Sequence, residues 1–124
     1  MVAITLDTGA LIGLERRHAR VVSLVRYARA HAQSIVAPAA VIAEWWRGRT
    51  DVREMILDMI DVERLDAELA RLAGEAMAAV KGASVVDALV MASTSRRGGV
   101  VYTSNVDDLV RLQAFFPNTR VVHV

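Results

Sequence analysis

Residues 99–109, GVVYTSNVDDL, contain the clearest structural signal in the sequence, a β-strand followed at once by a helix. β-branched and aromatic residues fill the first half of this stretch, a composition that favours a strand. Asn105 and Asp108 then stand in the N-x-x-D spacing of a helix start, where side chains cap free backbone N–H groups. A strand that leads directly into a helix is typical of α/β proteins.

The same alternation of strand and helix signals extends along the chain without a linker, a repeat or a low-complexity segment. Strands are predicted at residues 2–7, 34–38, 62–66, 99–105 and 119–124. Two helices are predicted between about Gly9 and Gln33, with a break near Arg17. A third is predicted at 38–48, where Pro38 is the first residue and Gly48 ends the helix, and a fourth at 51–60. The remaining helices are predicted at 67–82 after an Asp66 cap, from Ser84 to the Gly98–Gly99 pair, and at 107–116. This order favours an α/β fold with a mostly parallel sheet flanked by helices.

The composition describes one globular domain. A chain of 124 residues, 54% hydrophobic and 23% charged, supplies a real core and leaves no room for a second domain. The absence of cysteine excludes disulfides, thiolate metal sites and cysteine nucleophiles. The opening MVAITLDTGALIGLERR lacks a basic leader and is interrupted by Asp7, which is typical of a first strand rather than a signal peptide or a membrane span. We therefore expect a cytoplasmic protein that does not engage membranes.

The basic residues give a weaker signal. The formal net charge of +1 neither predicts nor excludes a nucleic-acid partner. Arginine supplies all but one of the 15 basic residues, and its groups are Arg16, Arg17 and Arg20, then Arg47, Arg49 and Arg53, then Arg96 and Arg97. Arginine binds phosphate through two parallel hydrogen bonds, whereas a solvated helix face explains any single arginine equally well.

Acidic and amide side chains recur just after predicted strands or at the starts of helices. Asp7 follows the first strand, and Asn105 and Asp108 follow the fourth. Asp87 opens a helix in the S-x-x-D spacing with Ser84. In an open parallel sheet these positions meet at one edge, where ligands usually bind. Helix capping is the alternative role for each of them.

Glu44 is not explained by capping because it lies inside a predicted helix, beside Trp45 and Trp46. Its alternative role is an ion pair with Arg47 on a solvated face, which would stabilise the helix by only about 0.2–0.5 kcal/mol. If Glu44 instead points at the strand edge, four oxygen-bearing side chains share one cleft and cannot all stay ionised without a cation. Carboxylates select hard ions such as Mg²⁺ or Mn²⁺, and no histidine or cysteine cluster competes for a softer metal.

Four motifs, LDTGAL, VIAEWWRG, SVVDALVMAS and VYTSNVDDL, resemble in order and spacing those of the PIN-domain ribonucleases. The size of the chain is similar to that of the VapC toxins of VapBC toxin–antitoxin pairs. The resemblance spans nearly the whole sequence and implies a single PIN-like domain over residues 1–124, a three-layer sandwich with about five strands. It assigns Asp7, Glu44 and Asp87 to three characteristic acidic positions, and Thr8 to the hydroxyl beside the first.

The fourth acidic position of the family falls near Asn105. The resemblance implies that Asn105 is a neutral ligand or water-binder and that Asp108 supplies the remaining charge, while Asp107 faces solvent. The implied activity is endonucleolytic hydrolysis of RNA by Mg²⁺ or Mn²⁺. The implied catalytic and metal-binding residues are Asp7, Glu44, Asp87 and Asp108, with Asn105 and Thr8 as further candidate ligands. The implied partners are RNA, a cognate VapB-like antitoxin and a second copy of the chain.

Two interpretations from other classes compete with a nuclease. One is a receiver-like, Mg²⁺-binding phosphoacceptor domain, which by resemblance needs paired acids after the first strand and a lysine near the last; here Asp7 stands alone and the one lysine is Lys81. The other is a catalytically inert PIN-like binding module. Ser/His/Asp catalysis is disfavoured because His18, His31 and His123 form no recognisable arrangement with a nucleophile. A metal-dependent nuclease assay separates these interpretations.

Overall fold

Five short parallel strands form the central sheet of the computed structural model, which describes residues 3–124. In chain order the strands are β1 (Ile4–Leu6), β2 (Ile35–Pro38), β3 (Asp61–Glu63), β4 (Val100–Thr103) and β5 (Arg120–His123). All four strand pairings are parallel, and the order across the sheet is β3-β2-β1-β4-β5. The chain builds outward from β1 to β3, then crosses back to place β4 on the other side of β1. The direction of winding therefore reverses between β1 and β4, the point at which α/β sheets open a crevice.

Helices cover both faces of this sheet. They are α1 (Thr8–Glu15), α2 (Ala19–Ala30), α3 (Ala39–Trp45), α4 (Asp51–Met59), α5 (Ala67–Ala79), α6 (Val85–Arg97) and α7 (Val106–Val110), the last continued by a 3₁₀ turn at Arg111–Ala114. Successive side chains of a strand point to opposite faces, and the three residues of β1 are all buried. The centre of the sheet is thus enclosed on both sides, which confirms the three-layer α/β arrangement implied by the resemblance.

The core joins side chains from these helices to the sheet in one cluster. Leu11 of α1, Val41 of α3, Ile56 of α4, Met91 of α6 and Leu109 of α7 are each buried within it. Burying one such side chain contributes about 1.5–3 kcal/mol. The packing of these residues fixes how α1, α3 and α6 sit over the carboxyl ends of the strands.

Several sequence predictions about element ends are confirmed. The break near Arg17 separates α1 from α2, and Arg17 itself has a φ of 59°. Asp66 caps α5 by accepting a hydrogen bond from the Leu69 N–H at 2.9 Å. Ser84 caps α6 by accepting from the Asp87 N–H at 3.0 Å. Short polar side chains at these positions satisfy N–H groups that have no partner inside their helices.

Other predicted boundaries are wrong. Pro38 is not the first helical residue; it is the last residue of β2, with an extended backbone at φ −60° and ψ 147°. The helix predicted to close at Gly48 ends at Trp45, because Trp46 already has a ψ of 113°. Proline suits both places because its fixed φ is allowed in either conformation.

The remaining corrections concern strand and helix lengths. The third strand lies at Asp61–Glu63 rather than 62–66, because residues 64–66 of the predicted range instead lead into α5, which Asp66 caps. The helix predicted to reach residue 82 ends at Ala79. The last predicted helix changes to a 3₁₀ turn at Arg111. The first strand begins at Ile4, and the part of its prediction at residue 2 lies outside the described residues. Within residues 3–124, no helix has the length and apolar character that a membrane crossing requires.

Candidate functional site

A cleft of about 240 Å³ opens at the carboxyl edge of the sheet, where β1 and β4 end side by side. Its lining residues are Asp7, Thr8, Gly9, Glu44, Val86, Asp87, Ser104 and Asn105. Asp7 follows β1, Ser104 follows β4, and Glu44 and Asp87 come from α3 and α6. Three carboxylates that are far apart in the sequence therefore border one cavity.

Asp7 is the most enclosed of these carboxylates, with 7% of its surface exposed. Its Oδ1 accepts a hydrogen bond from the Ala10 N–H at 2.9 Å and so caps α1. Burial raises the pKa of Asp7 above its ordinary value; hydrogen bonds from Thr103 and Ala10 oppose that rise, and the charges of Asp87 and Glu44 add to it. Asp7 thus performs the capping role that the sequence allowed and also faces two other acids.

Glu44 reaches the cleft from α3 and contacts α1. The Thr8 hydroxyl donates a hydrogen bond to Glu44 Oε1 at 2.5 Å. Glu44 is exposed, but among residues 3–124 it forms no ion pair with Arg47, so the alternative ion pair is not observed. The contact with Thr8 instead orients the carboxylate toward the end of β1.

Asp87 is half-buried at the first turn of α6. Its backbone N–H is capped by Ser84, as the S-x-x-D spacing predicted. Burial raises the pKa of its carboxyl group, a hydrogen bond from Ser84 lowers it, and the charges of Asp108 and Glu44 raise it further. The capping hydroxyl belongs to Ser84, which leaves the Asp87 carboxylate facing its acidic neighbours.

Asn105 lines the other side of the cleft, and Asp108 lies beside it. The Asn105 Nδ2 donates a hydrogen bond to Asp108 Oδ2 at 2.5 Å. The prediction that Asn105 caps the following helix is wrong, since its side chain makes no such bond and its own N–H is bound by Thr103 Oγ1 at 2.8 Å. Asp108 is half-buried beside the cleft rather than among its lining residues, and Asp107 is exposed, as expected.

Ser104 and Gly9 are cleft residues that the sequence analysis did not single out. A Cβ built on Gly9 would lie 2.0 Å from Ser104 Oγ and 3.2 Å from Ser104 Cβ. A side chain at residue 9 would displace the Ser104 hydroxyl and press on Ser104 Cβ, so glycine favours the close approach of α1 to the end of β4. The signal that could have found Ser104 is its position directly after a strand, the same signal that pointed to Asp7.

The cleft acids differ from Glu63, an acid that is partly buried elsewhere, in having no cationic partner among the described residues. Glu63 accepts hydrogen bonds from Ser93 and Arg97, and Arg96 Nη2 lies 3.4 Å from its Oε2. The salt bridges within residues 3–124 are Arg49 with Asp51 and Glu54, Arg53 with Glu15, Arg96 with Glu63, Asp66 and Glu68, and Arg97 with Glu63. Arg53, Arg96 and Arg97 are largely covered and bound to internal acids, whereas Arg49 keeps 66% of its side chain exposed.

The donor chemistry of the cleft fits a hard divalent cation, because every polar ligand on offer is an oxygen or an amide. The raised pKa values of Asp7 and Asp87 show that their negative charges are insufficiently compensated by protein groups. In the arrangement described for residues 3–124, no three histidine, cysteine or acidic side chains are close enough to share one ion. Ligation of one ion by all three carboxylates would therefore require small side-chain movements.

The histidines do not contribute to the cleft. His18, His31 and His123 are all exposed, and none lines the cavity. The expectation that each is a surface residue is confirmed. Within the described part of the chain, no Ser/His/Asp arrangement meets the geometric requirement for nucleophilic catalysis.

Solved structures with a similar arrangement of elements include chains of three DNA-bound protein complexes. A chain of VapBC2 from Rickettsia felis, bound to a DNA fragment from its promoter, is similar with a TM-score of 0.78 and 14% identity over 98% of each chain. A chain of DNA-bound VapBC from Salmonella typhimurium is similar with a TM-score of 0.78 and 16% identity over 99% of this chain and 98% of that one. A chain of FitAB bound to the IR36 DNA fragment is similar with a TM-score of 0.70 and 16% identity; the match covers 97% of this chain and 94% of that one.

No protein-family model and no curated protein sequence matches the chain. At these identities the structural likenesses show the fold, and the predicted PIN-like α/β fold is confirmed. The strand order also disfavours the receiver-like interpretation, because receiver domains place their strands in the order 2-1-3-4-5 rather than 3-2-1-4-5.

Proposed function

We propose that the chain is a metal-dependent endoribonuclease and the toxin of a type II toxin–antitoxin pair. The observation that carries this proposal is the convergence of Asp7, Glu44 and Asp87, from three separate elements, on one cleft at the β1–β4 edge. The fold shared with chains of VapBC and FitAB complexes supports it.

Asp7, Glu44 and Asp87 would hold the cation, with Asp108 as the fourth acid and Thr8 and Asn105 as further ligands. When bound, Mg²⁺ or Mn²⁺ supplies a water of lowered pKa and neutralises charge that builds on the phosphate oxygens. The protein contributes orientation. Thr8 fixes Glu44, and Asn105 fixes Asp108.

A cation in the cleft would favour the ionised forms of Asp7 and Asp87. Burial and mutual repulsion raise the pKa values of Asp7 and Asp87 in the metal-free protein. A divalent ion removes that repulsion, so metal affinity and the ionisation of these groups are coupled. Exposed Glu44 and half-buried Asp108 lie near enough to Asp87 for their charges to raise its pKa.

RNA cleavage by the purified protein tests the proposal. We expect cleavage of a labelled RNA with Mg²⁺ or Mn²⁺, no cleavage with EDTA, and a loss in Asp87→Asn that exceeds the roughly 10–100-fold cost of removing an outer-shell partner of a metal ligand. The matched control is Asp107→Asn, which removes an exposed carboxylate of the neighbouring helix and should retain activity. Undiminished cleavage in chelator would contradict the metal chemistry, and the absence of cleavage with every metal would favour the inert binding module.

The antitoxin part of the proposal finds support in an apolar groove between α2 and α4, on another part of the surface. Its volume is about 200 Å³, and its lining residues are Leu14, Arg17, Val22, Val25, Arg26, Arg29, Val52, Met55, Ile56 and Met59. Val52 and Met55 are 40% and 50% exposed. Within residues 3–124 the three arginines at its rim pair with no carboxylate. An amphipathic helix with an acidic polar face fits both the apolar floor and the basic rim.

Co-expression with a small reading frame found beside this gene would test that partner. We expect the two chains to co-purify and the complex to inhibit RNA cleavage. Met55→Lys should weaken the complex by about tenfold or more, since it removes buried apolar area and adds a charge to a basic rim. Leu65→Lys, at a residue 52% exposed outside the groove, is the control. Equal complex formation by both variants would exclude the groove. A homodimer and a cytoplasmic location complete the proposal. The homodimer rests on the resemblance and is tested by light scattering, whereas the location rests on the composition and the N-terminal sequence.

A further inference from the structure

Two depressions continue the acidic cleft along the surface. The first, of about 160 Å³, shares Gly9 and Ser104 with the cleft and adds Arg16 and His18. The second, a shallow depression of about 660 Å³, shares Val124 with the first; among its lining residues are Arg20, Tyr27 and His123. Arg16, His18, Arg20, Tyr27 and His123 thus form a continuous surface path, which we call the α1–α2 track.

The arginines of this track carry charge that the protein does not neutralise. Arg16 and Arg20 are both exposed, and neither has a carboxylate within 4.0 Å in the described part of the chain. The one hydrogen-bond contact of the Arg20 guanidinium there is to another nitrogen, His123 Nδ1, at 3.4 Å. This contact uses one nitrogen of the guanidinium and brings no negative charge, so the positive charge of Arg20 stays available to an anionic oxygen.

The track also offers an aromatic surface. Tyr27 is 58% exposed, the largest exposure among the bulky apolar side chains of the described residues. Its ring stacks on His31 with centroids 4.0 Å apart and an interplanar angle of 24°. Exposed rings beside a basic path are the surface on which nucleic-acid bases stack, because every base has a π-face.

We propose that the α1–α2 track binds the single-stranded RNA segment that flanks the phosphodiester in the cleft. Arg16 and Arg20 contact backbone phosphates, and Tyr27 stacks against a base. This inference rests on the proposed function, because it takes RNA as the substrate of the cleft. Continuity with the cleft favours RNA over an acidic protein segment, since an RNA strand that occupies the cleft must leave along an adjoining surface.

Binding of a fluorescein-labelled 20-nucleotide unstructured RNA tests the track. The measurement is made in EDTA, where cleavage plays no part, at salt concentrations from about 0.05 to 0.3 M. For single strands each phosphate contact contributes about 0.7 to the slope of log affinity against log salt concentration. The double variant Arg16→Gln, Arg20→Gln should therefore lower the slope by about 1.4 and weaken binding about 25-fold at 0.1 M salt.

Two further variants separate charge from stacking and from general basicity. Tyr27→Leu should weaken binding about fivefold or more and leave the salt slope unchanged, because stacking releases no counterions. The matched control is the double variant Arg64→Gln, Arg71→Gln, which removes two exposed arginines away from the track. It should bind as the parent does, apart from a small uniform effect of net charge.

Three outcomes would contradict RNA binding by the track. The first is undetectable RNA binding by the parent at about 0.05 M salt, and the second is an equal loss of RNA affinity in the track and control variants. The third is poly-glutamate binding that equals RNA binding in affinity and in its dependence on Arg16 and Arg20. The last result would make the track a site for an acidic protein segment. Failure of the proposed function is distinguishable from these, because it would abolish cleavage by the parent with every metal while the binding differences persisted.

Discussion

At the scale of single residues, Asp7 combines two roles that substitution can separate. Its Oδ1 caps α1 through the Ala10 N–H, and its charge is buried beside Asp87 and Glu44. An asparagine keeps an acceptor oxygen for the cap but cannot ionise. Asp7→Asn therefore isolates the contribution of the charge.

The first prediction is a pH-dependent stability difference between the parent and Asp7→Asn without metal. The folded-state pKa of Asp7 is raised above its ordinary value of 3.8. Its contribution to stability is thus fully present below that pH and is lost as pH rises through the folded-state pKa. We expect the free energy of unfolding of Asp7→Asn, relative to the parent, to increase from about pH 4 toward neutrality in urea titrations. A difference that does not vary with pH would contradict the burial of an uncompensated charge.

At the scale of elements, the start of α6 divides two functions between neighbouring residues. Ser84 caps the helix, and the Asp87 carboxylate faces the cleft. We expect Ser84→Ala to cost about 0.5–2 kcal/mol of folding stability, as lost N-caps do, while folded molecules keep their RNA cleavage. Asp87→Asn should show the opposite pattern: it should not cleave RNA, and without metal it should be at least as stable as the parent protein. Full activity in a destabilised Asp87→Asn would return this aspartate to a structural role.

The close approach of α1 to the end of β4 is a second element-scale feature with a measurable consequence. Gly9→Ala places a Cβ against Ser104 Oγ and should destabilise the protein by about 1–3 kcal/mol through overpacking. In a Ser104→Ala background most of that cost should disappear, because the nearest atom is gone. Chemical denaturation of both single variants and the double variant gives the coupling energy. Simple additivity of the two substitutions would show that the contact does not limit the packing.

At the scale of the whole molecule, the fold followed from the sequence because strand and helix patterns alternate strictly and parallel strands need helical crossovers. The approximate positions of Asp7, Asp87 and Asn105 followed from the rule that sites lie beyond the carboxyl ends of strands. The direction of Glu44 did not, because the rotation of α3 about its axis depends on packing against α1. Its partner, Thr8, is 36 residues away in the sequence.

Local sequence patterns also gave wrong predictions where one pattern is compatible with two local structures. The N-x-x-D spacing of Asn105 and Asp108 predicted a cap, yet the two side chains bond to each other because Thr103 already binds the Asn105 N–H. Pro38 fits a helix start and a strand end equally well, and pairing of β2 with β3 decides between them. Such choices depend on contacts between distant segments, which local sequence patterns do not contain.

The central claim is that the cleft acids bind a divalent cation, and metal-dependent thermal melting tests it most directly. At a metal concentration about 100 times Kd, binding stabilises the folded state by about 2.7 kcal/mol, which raises Tm by roughly 5–15 °C in a domain of this size. We expect Mn²⁺ to produce such a shift in the parent and in Asp107→Asn, and a much smaller one in Asp87→Asn. Equal Mn²⁺-induced shifts in all three proteins, or no shift in the parent at millimolar Mn²⁺, would contradict the account.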